Sequence, residues 1–522
     1  MLPPTLSHPA PSCPYAPLRQ LALCSCLALA ATASRAGELL WFADGQPRAA
    51  SYEAVSILAA AAAEGLDPSD YDADRLRGAL GEPGSLPAGA PDDLDRALTT
   101  AMERFLLDVR RGRIDPAQIG EEFSPNATAA LDPNTLLRQA ISDDRLADAV
   151  AAARPHLAQY DELRAVLARY RPLENHPAWR TPLPPLPGRK LEPGGAWPGL
   201  GRLMQRLEVL GDLPGGSSVP PRYSEAAVAG VRAFQQRHGL TPDGVIGKGT
   251  IDAIEVPPGT RIRQIELALE RLRWTPQPER MVVVNVPEFV LRGIDARDGR
   301  SEERVAMNVI VGNAAKTQTP IFSAKMRYIE FSPYWNVPPS IARGETIPKL
   351  RRDPGYFHKQ GFEFVGSDGR VTGELSEANL AAAQSGRMRI RQRPGASNAL
   401  GDIKFVFPNV DNIYLHHTPT PQLFKRDRRD FSHGCIRVEK PVELAKFVLA
   451  GQPEWDEERI VAAMTRGRSA TLRLEEPLPV IIAYRTAAVI GGQVRFFPDL
   501  YGRDARLRDA LEGRRRSRAP SG

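Results

Sequence analysis

The residues best suited to covalent chemistry in this 522-residue chain lie in two short segments, 412–419 and 431–438. The second segment reads Phe-Ser-His-Gly-Cys-Ile-Arg-Val and contains Cys435, the only cysteine after residue 26. A thiol needs a base to become a nucleophilic thiolate, and imidazole is the usual one. The first segment, Asn-Ile-Tyr-Leu-His-His-Thr-Pro, supplies two adjacent candidates, His416 and His417. The pattern therefore predicts a cysteine nucleophile with a histidine base.

The residues around Cys435 could complete such a site. Gly434 permits a tight turn, which can point backbone N–H groups at one spot and stabilise an oxyanion there. Arg437 lies two residues after the cysteine and projects to the same side if the chain leaves as a strand. Its guanidinium could then bind a substrate carboxylate through two hydrogen bonds.

Plainer interpretations of the same residues stay open at this point. Cys435 could be an inert buried thiol, and Arg437 could form a surface ion pair. Zinc is an alternative because four residues have ligand types, namely His416, His417, His433 and Cys435. A vicinal His-His pair and a single thiol are unusual in a closed zinc site, so we predict no metal and no other cofactor.

Composition bounds the class of protein. Hydrophobic residues make up 42% and charged residues 25%, which is typical of a globular chain, and the length predicts two to four domains. The formal net charge of +6 is nearly neutral for this length, so we predict no nucleic-acid partner. Three of the four cysteines lie in the first 26 residues, which excludes a disulfide framework in the body of the protein.

Residues 1–36 resemble a signal peptide for export. Arg19 precedes an apolar run from Leu21 to Ala33, and small residues follow, so cleavage after Ala33 or Ala36 is expected. Retention as an anchor and lipidation at Cys26 are the alternatives. Each of these outcomes places the protein in the periplasm, where the mature chain would carry one unpaired thiol.

The pattern upstream of the chemical segments predicts two helical regions. Residues 37–180 show helical i, i+3, i+4 spacing, as in Leu94–Leu106 and Tyr160–Tyr170, and are predicted to be a helical scaffold domain. Residues 181–195 are rich in proline and glycine and are predicted to be an extended linker. Residues 196–256 resemble the three-helix peptidoglycan-binding module, on the matches Val231, Phe234-Gln235, Gly239-Leu240, Asp243-Gly244 and Gly247 with Thr250. Whether this copy binds a ligand is left open.

From residue 261 the sequence becomes rich in predicted strands, beginning with the apolar run Met281–Val286. Residues 336–391 are polar and partly helical, and we interpret them as an insertion over a β domain that ends near residue 510. Residues 511–522 form a basic run predicted to be a disordered tail.

The two chemical segments together resemble the L,D-transpeptidase catalytic (YkuD) domain. Ser-His-Gly-Cys-Ile-Arg-Val preceded by Tyr-Leu-His carries the resemblance, and Phe331–Pro338 and Gln392–Gly401 support it. The order of scaffold, peptidoglycan-binding module and catalytic domain resembles the large periplasmic branch of that family. The predicted fold class is therefore multidomain α+β, with a helical scaffold, a three-helix module and a mainly β catalytic domain carrying a partly helical capping insertion.

The resemblance implies roles for individual residues. Cys435 would be the nucleophile and His416 the general base. Backbone N–H groups around Gly434 and Cys435 would form the oxyanion hole, with Ser432 and His433 shaping it. Arg437 and Tyr414 would contact the substrate. One position departs from the family pattern, because His417 follows the base where glycine or aspartate is usual. His416 is preferred as the base because it directly follows Tyr-Leu.

The implied function is peptidoglycan L,D-transpeptidation, which forms 3→3 cross-links through a thioester on Cys435. A tetrapeptide stem would be the donor and a diamino acid the acceptor, and proteins of wall synthesis are further candidate partners. The alternatives are a carboxypeptidase, an endopeptidase or a lipoprotein-attaching transferase of the same fold. A non-enzymatic wall-binding structural protein is the alternative from another class.

Overall fold

The architecture is taken from a computed structural model that describes residues 39–81, 90–123, 131–216, 220–297 and 300–518. The predicted signal peptide, residues 1–36, lies outside the described residues. No described helix combines the length and apolar composition that a membrane span requires. The described chain is a helical amino-terminal region followed by a β-rich catalytic region, as the sequence predicted.

The scaffold region is helical because apolar residues recur at helical spacing. In its last helix, Tyr160, Leu163, Val166, Leu167 and Tyr170 are all buried on one face. The elements are strands β1 (Phe42–Ala43) and β2 (Gln46–Pro47), helices α1 (Ala49–Ala59), α2 (Ala73–Leu80) and α3 (Ala90–Arg111), strand β3 (Glu121–Glu122), and helices α4 (Pro133–Ser142), α5 (Leu146–Ala153) and α6 (Ala158–Tyr170).

The next region is the predicted three-helix module. It comprises strand β4 (Lys190–Leu191), helices α7 (Leu200–Leu210) and α8 (Glu225–Arg237), strand β5 (Ile246–Gly247) and helix α9 (Lys248–Glu255). Ser224 caps α8 through the Ala227 amide. Gln235 explains part of the sequence motif, since its amide group bonds to the Gly244 N–H and the Val245 carbonyl, both at 2.9 Å.

The proline-rich stretch 181–195 differs from the predicted spacer because it packs on this module. Strand β4 pairs with β5, and the Trp197 indole donates to the Pro185 carbonyl at 2.9 Å. The fully buried Arg206 donates to the carbonyls of Ala178 and Thr181. Prolines lack an N–H but keep their carbonyls, and neighbouring carbonyls here satisfy a buried cation instead of facing water.

The catalytic region begins with helix α10 (Pro258–Trp274) and strands β6 (Arg280–Asn285), β7 (Val290–Arg297), β8 (Arg300–Gly312) and β9 (Ile321–Phe331). The insertion follows as β10 (Trp335–Asn336), α11 (Pro339–Ile341), a π-helical turn (Ala342–Thr346), α12 (Ile347–Arg352), α13 (Gly355–Lys359), β11 (Phe362–Gly366), β12 (Val371–Thr372), α14 (Glu377–Gln384) and β13 (Met388–Gln392). Its strands form a separate sheet in the order β10-β13-β11-β12. Leu350, Phe357 and Phe364 are fully buried in a core of its own. We call this unit the cap.

The chain then returns to the main sheet through β14 (Ile403–Val406), β15 (Leu415–His416), β16 (Asp430–Ser432) and β17 (Ile436–Val438). Helices α15 (Pro441–Val448) and α16 (Glu457–Thr465), strands β18 (Ala470–Ala483), β19 (Ala487–Ile490) and β20 (Gln493–Phe496), and helix α17 (Arg503–Arg518) complete it. The sheet order is β14-β15-β17-β8-β7-β6-β18-β9, and β9 pairs again with β14, so the sheet closes into a barrel. Strand β3 of the scaffold pairs in parallel with the first two residues of β9, Ile321 and Phe322.

The carboxyl end contradicts the prediction of a disordered tail, because α17 continues to Arg518. Arg514 pairs with Asp108 at 2.8 Å, and Arg515 pairs with Asp67 at 2.8 Å. The basic run is therefore matched by scaffold carboxylates, which a reading of local charge alone could not reveal.

The barrel core fixes the strand that follows the cysteine, and this dependence can be tested. Ile436 is fully buried, whereas Val410 is 84% exposed. Ile436→Ala should destabilise the catalytic region by about 2–5 kcal/mol, because it leaves a cavity in a packed core. Val410→Ala should change stability by less than about 0.5 kcal/mol. Urea unfolding followed by tryptophan fluorescence measures both, and equal midpoints for the two variants would contradict the placement of β17 in the core.

Candidate active site

The pairing of β15 with β17 sets the geometry of the site. The two strands run parallel, with Leu415 opposite Ile436 and His416 opposite Arg437. Leu415 and Ile436 are fully buried in the barrel core. Side chains alternate along a strand, so the neighbours of these two residues point to the opposite face. On that face lie Tyr414, His416, Cys435 and Arg437. The sequence prediction that Cys435 and Arg437 share one side agrees with this register.

The turn before Cys435 is held by hydroxyl groups. Gly434 has φ +114°, a conformation that side chains rarely adopt. Its N–H donates to Ser432 Oγ at 3.1 Å, and that hydroxyl donates to the Cys435 carbonyl at 2.5 Å. Thr319 Oγ1 donates to the Gly434 carbonyl at 2.7 Å. Ser432 therefore shapes the turn, as predicted, and Thr319, which the sequence reasoning missed, supports it from the loop after β8.

This bonding reduces the set of backbone N–H groups that could form the predicted oxyanion hole. The Gly434 N–H is already engaged by Ser432 and is not available to a substrate oxygen. Within the described ranges, the backbone amides of His433 and Cys435 donate no hydrogen bond. The Cys435 N–H is therefore the better candidate for an oxyanion donor beside the nucleophile.

The Cys435 thiol is neutral in the free protein. Its Sγ donates to the Asn412 carbonyl oxygen, 3.8 Å away. Burial raises the pKa of Cys435, and the neighbouring Tyr414, Lys404 and Arg437 offset part of this increase. Burial also raises the pKa of Tyr414, which keeps its hydroxyl protonated beside the sulfur.

His416 is also neutral. Its Nδ1 lies 2.6 Å from the His417 carbonyl oxygen. Since a carbonyl oxygen can only accept, Nδ1 carries the proton in the neutral ring, and Nε2 is then its basic nitrogen. Burial, with a further contribution from the positive charge of Arg437, lowers the pKa of His416 to about 3. In the described part of the chain no hydrogen bond joins this ring to Cys435 Sγ, so its role as base stays a prediction.

His417 points to a different neighbour. Its Nδ1 lies 3.3 Å from a carboxylate oxygen of Asp402. Its ring packs against Gly401 so closely that a Cβ added there would come within 2.6 Å of the imidazole. This placement supports His416 over His417 as the base.

His433 joins the active-site loop to the cap. Its Nε2 lies 2.6 Å from Glu345 Oε1, in the π-helical turn of the cap. His433 and His417 thus face separate carboxylates, and no group of side chains in the described residues has the arrangement of a metal site.

Arg437 lacks an ion-pair partner among the described residues. Its Nη1 reaches Thr420 Oγ1 at 3.5 Å, and its buried Nε has no partner. Burial lowers the pKa of Arg437, although the group remains charged at neutral pH. The surface ion pair considered above is therefore wrong. A partly buried, uncompensated guanidinium is suited to a substrate carboxylate.

A cleft of about 510 Å³ opens beside Cys435. Cap residues 338–341 and Trp335 line one side, and Tyr414, His433 and Cys435 line the other. This volume falls within the range of small-ligand sites. The thiol is therefore reachable, and the cap lies over the entrance as the sequence predicted.

Lys404 is a further site residue that the sequence reasoning missed. It lies opposite His416 in the β14–β15 pair and lines the cleft. Its Nζ is 3.1 Å from Glu330 and 4.5 Å from the centre of the Tyr414 ring. The alternation Ile403-Lys404-Phe405 indicates that Lys404 points away from the core. The sequence does not show that its strand lies beside the strand of His416, because this proximity arises from closure of the barrel.

Comparison with known proteins identifies the domains. Residues 279–460 match the model of the L,D-transpeptidase catalytic domain (YkuD), residues 33–167 match a scaffold domain, and residues 198–254 match a "Putative peptidoglycan binding domain". The fold and the site place a thiol in a cleft beside the cap. Residues 279–460 are similar to the L,D-transpeptidase catalytic domain, in a chain that also matches a scaffold domain and a putative peptidoglycan-binding domain, in agreement with the predicted recognition.

A "Putative L,D-transpeptidase" of Haemophilus influenzae is 31% identical over 245 residues, which are 47% of this chain and 49% of the relative. The chain thus matches about half the length of this curated relative. Two solved structures share weaker likeness. An L,D-transpeptidase from Xylanimonas cellulosilytica has 16% identity and a TM-score of 0.17, over 57% of this chain and 100% of that one. A fused Zn-dependent amidase/peptidase/peptidoglycan-binding protein from Clostridium acetobutylicum has 10% identity and a TM-score of 0.17, over 56% and 99%. These two carry no argument here.

The electrostatics of the thiol predict how its reactivity changes with pH. The rate of alkylation by iodoacetamide should keep rising past the ordinary pKa of a cysteine, because the thiolate forms only above the raised pKa. Lys404→Met should slow alkylation at neutral pH by about 2- to 10-fold, since it removes a charge that stabilises the thiolate. Lys325→Met, on an exposed position of β9, is the matched control. A faster reaction in Lys404→Met would show that Lys404 does not act on the sulfur.

Proposed function

We propose that this protein is a periplasmic peptidoglycan L,D-transpeptidase that forms 3→3 cross-links through a thioester on Cys435. The observation that supports it most directly is the register of β15 with β17. In that register Tyr414, His416, Cys435 and Arg437 share one face of the strand pair, and Tyr414 and Cys435 line the cleft. Export by the segment 1–36 places the protein at its substrate, and no resident cofactor is required.

The first half of the reaction is acylation. Cys435 Sγ attacks the carbonyl carbon of a diamino acid in a tetrapeptide stem, and its proton moves to His416 Nε2. Because both groups are neutral in the free protein, the proton moves as the S–C bond forms and no thiolate–imidazolium pair is needed beforehand. The bond to the terminal D-alanine breaks, and its amine leaves with the proton from His416.

The second half transfers the acyl group. The side-chain amine of a diamino acid on another stem attacks the thioester carbonyl, and His416 accepts the amine proton. The C–S bond breaks, the new amide forms, and the proton returns to Cys435. No ATP is consumed, because the free energy of the donor peptide bond is retained in the thioester and then in the new amide bond.

The surrounding groups have supporting roles in this scheme. The Cys435 N–H would donate to the oxyanion, and Lys404 and Arg437 would add positive charge near it. The cap, joined to the loop through His433 and Glu345, would limit water in the cleft and so favour transfer to an amine over hydrolysis.

Incubation of the full chain with purified tetrapeptide muropeptides tests the proposal. Mass spectrometry should detect cross-linked dimers and free D-alanine. Cys435→Ala should abolish both, and His416→Ala should lower kcat/KM by about 10²- to 10⁴-fold. His417→Ala, facing Asp402, is the control and should retain most activity. An inactive His417 variant would overturn the base assignment, and free tripeptide without dimers would identify a carboxypeptidase.

The role of Arg437 can be tested separately. Arg437→Gln should lower kcat/KM by about 10- to 100-fold, because a charge-assisted hydrogen bond to a carboxylate contributes about 1.5–3 kcal/mol. Arg473→Gln, on the exposed surface of β18, is the matched control. With a donor peptide whose carboxylates are amidated, wild type and Arg437→Gln should have the same kcat/KM. An unchanged difference would exclude a carboxylate as the partner.

A further inference from the structure

A second cavity lies away from Cys435, where the peptidoglycan-binding domain meets the catalytic domain. Its volume is about 690 Å³, within the range of small-ligand sites at domain interfaces. Helices α9, α10 and α17 and the segment after β20 contribute its walls. The residues that matter below are Arg261 and Arg263 of α10, and Phe496 and Phe497 after β20.

The dimensions of this cavity suit a short extended peptide. The α17 wall runs from Asp504 to Arg515, which is about 16 Å at the rise of an α-helix. An extended tetrapeptide spans about 13 Å. Leu240, Ala253 and Phe497 supply apolar surface for small side chains such as those of alanine.

The acidic side chains that line the cavity are already engaged. Asp499 accepts hydrogen bonds from the Tyr484 hydroxyl and from the amides of Asp504 and Ala505 at the start of α17. The other acids have cationic partners: Asp252 with Lys248, Glu266 with Arg171, Asp504 with Arg271, and Glu512 with Arg516. These carboxylates therefore do not neutralise the remaining arginines.

The lining arginines divide into two groups. Arg113 pairs with Glu270, Arg508 with Asp509, and Arg515 with Asp67. Arg261 and Arg263 have no carboxylate partner in the described part of the chain. Arg263 is exposed and donates only to Thr260 Oγ1, at 3.0 Å. Two guanidinium charges therefore face the cavity without compensation.

Arg261 is the deeper of the two, with 9% of its surface exposed. It donates to the side-chain oxygen of Gln264 at 2.8 Å and to the Ala253 carbonyl at 3.0 Å, and it lies 4.8 Å from the centre of the Phe496 ring. Burial, with repulsion from Arg237, lowers the pKa of Arg261 to about 10. A buried cation held only by neutral groups gains stability when an anion binds beside it.

We propose that this cavity is a second binding site, which takes a carboxylate-bearing stem peptide of the wall. Arg261 and Arg263 bind the carboxylate, and the apolar walls contact the rest of the peptide. The assignment of the ligand rests on the proposed function, because the ligand belongs to the substrate class of the Cys435 site. The cavity would hold the enzyme on the wall while the cleft under the cap performs the chemistry.

Binding of a tetrapeptide muropeptide to the full chain carrying Cys435→Ala tests this site without turnover. Arg263→Glu should weaken binding to the cavity and retention on purified sacculi by about 10-fold or more, since it reverses a charge at an exposed position. Arg261→Gln should have a similar effect. Arg232→Glu is the matched control, because Arg232 is exposed on α8 of the adjoining three-helix module, bonds only to a carbonyl and does not line the cavity. Thermal melting checks that each variant folds.

The outcomes separate this proposal from the proposed function. With Cys435 intact, Arg263→Glu should cross-link soluble muropeptides at a rate within about twofold of wild type. Undiminished sacculus binding in both Arg263→Glu and Arg261→Gln, or an equal loss in Arg232→Glu, overturns the site. Equal binding of amidated peptides or of peptide-free glycan overturns the carboxylate ligand. Cavity binding without any cross-linking by wild type would instead refute the proposed function and leave a peptide-binding site.

Discussion

The pairing of β15 with β17 is the constraint on which the site depends. Leu415 and Ile436 are buried in the barrel core on one side of this pair. Turning them outwards would expose both side chains to water. A slip of one residue would move every side chain to the other face, so burial of two aliphatic residues fixes the positions of Cys435 and His416. The catalytic arrangement is in this sense a consequence of packing.

Burial and charge act against each other at the thiol. Burial raises the pKa of Cys435 and lowers that of His416, and the cations Lys404 and Arg437 do not reverse the outcome for the sulfur. The free protein therefore keeps an uncharged pair close to two positive charges. In the proposed reaction those charges would stabilise the negative charge that develops on the attacked carbonyl, so they would favour the transition state over the neutral resting state. A neutral resting thiol also resists oxidation more than a thiolate does.

Local sequence predicted the parts of this structure that depend on local patterns. The helix over Tyr160–Tyr170, the cap of Ser224 on α8 and the shared face of Cys435 and Arg437 follow from spacing alone. Lys404, Glu345 and Thr319 were not predicted, because their proximity to the motif arises from closure of the barrel and from the fold of the cap. The stretch 181–195 and the arginines Arg514 and Arg515 were misread for the same reason, since their partners lie outside the local segment. The Gly434 N–H shows a further limit, because a motif does not reveal that a neighbouring hydroxyl already occupies a donor.

Helix α10 connects the three-helix module to the catalytic region and also contacts the scaffold. The stretch 181–195 therefore does not act as a spacer between independent domains. α10 follows the peptidoglycan-binding domain and carries Arg261 near its start and Arg271 about 15 Å further along. Arg271 is almost fully buried and pairs with Glu121 of the scaffold at 3.3 Å and with Asp504 of α17 at 2.5 Å. β3, which contains Glu121, also extends the barrel sheet at β9. Removal of one partner from a buried network of this kind leaves an uncompensated charge, which costs about 3–5 kcal/mol. The scaffold therefore contributes to the stability of the barrel that positions the thiol. Helix α10 carries residues of both the cavity around Arg261 and the network around Arg271, so it links the cavity to the barrel.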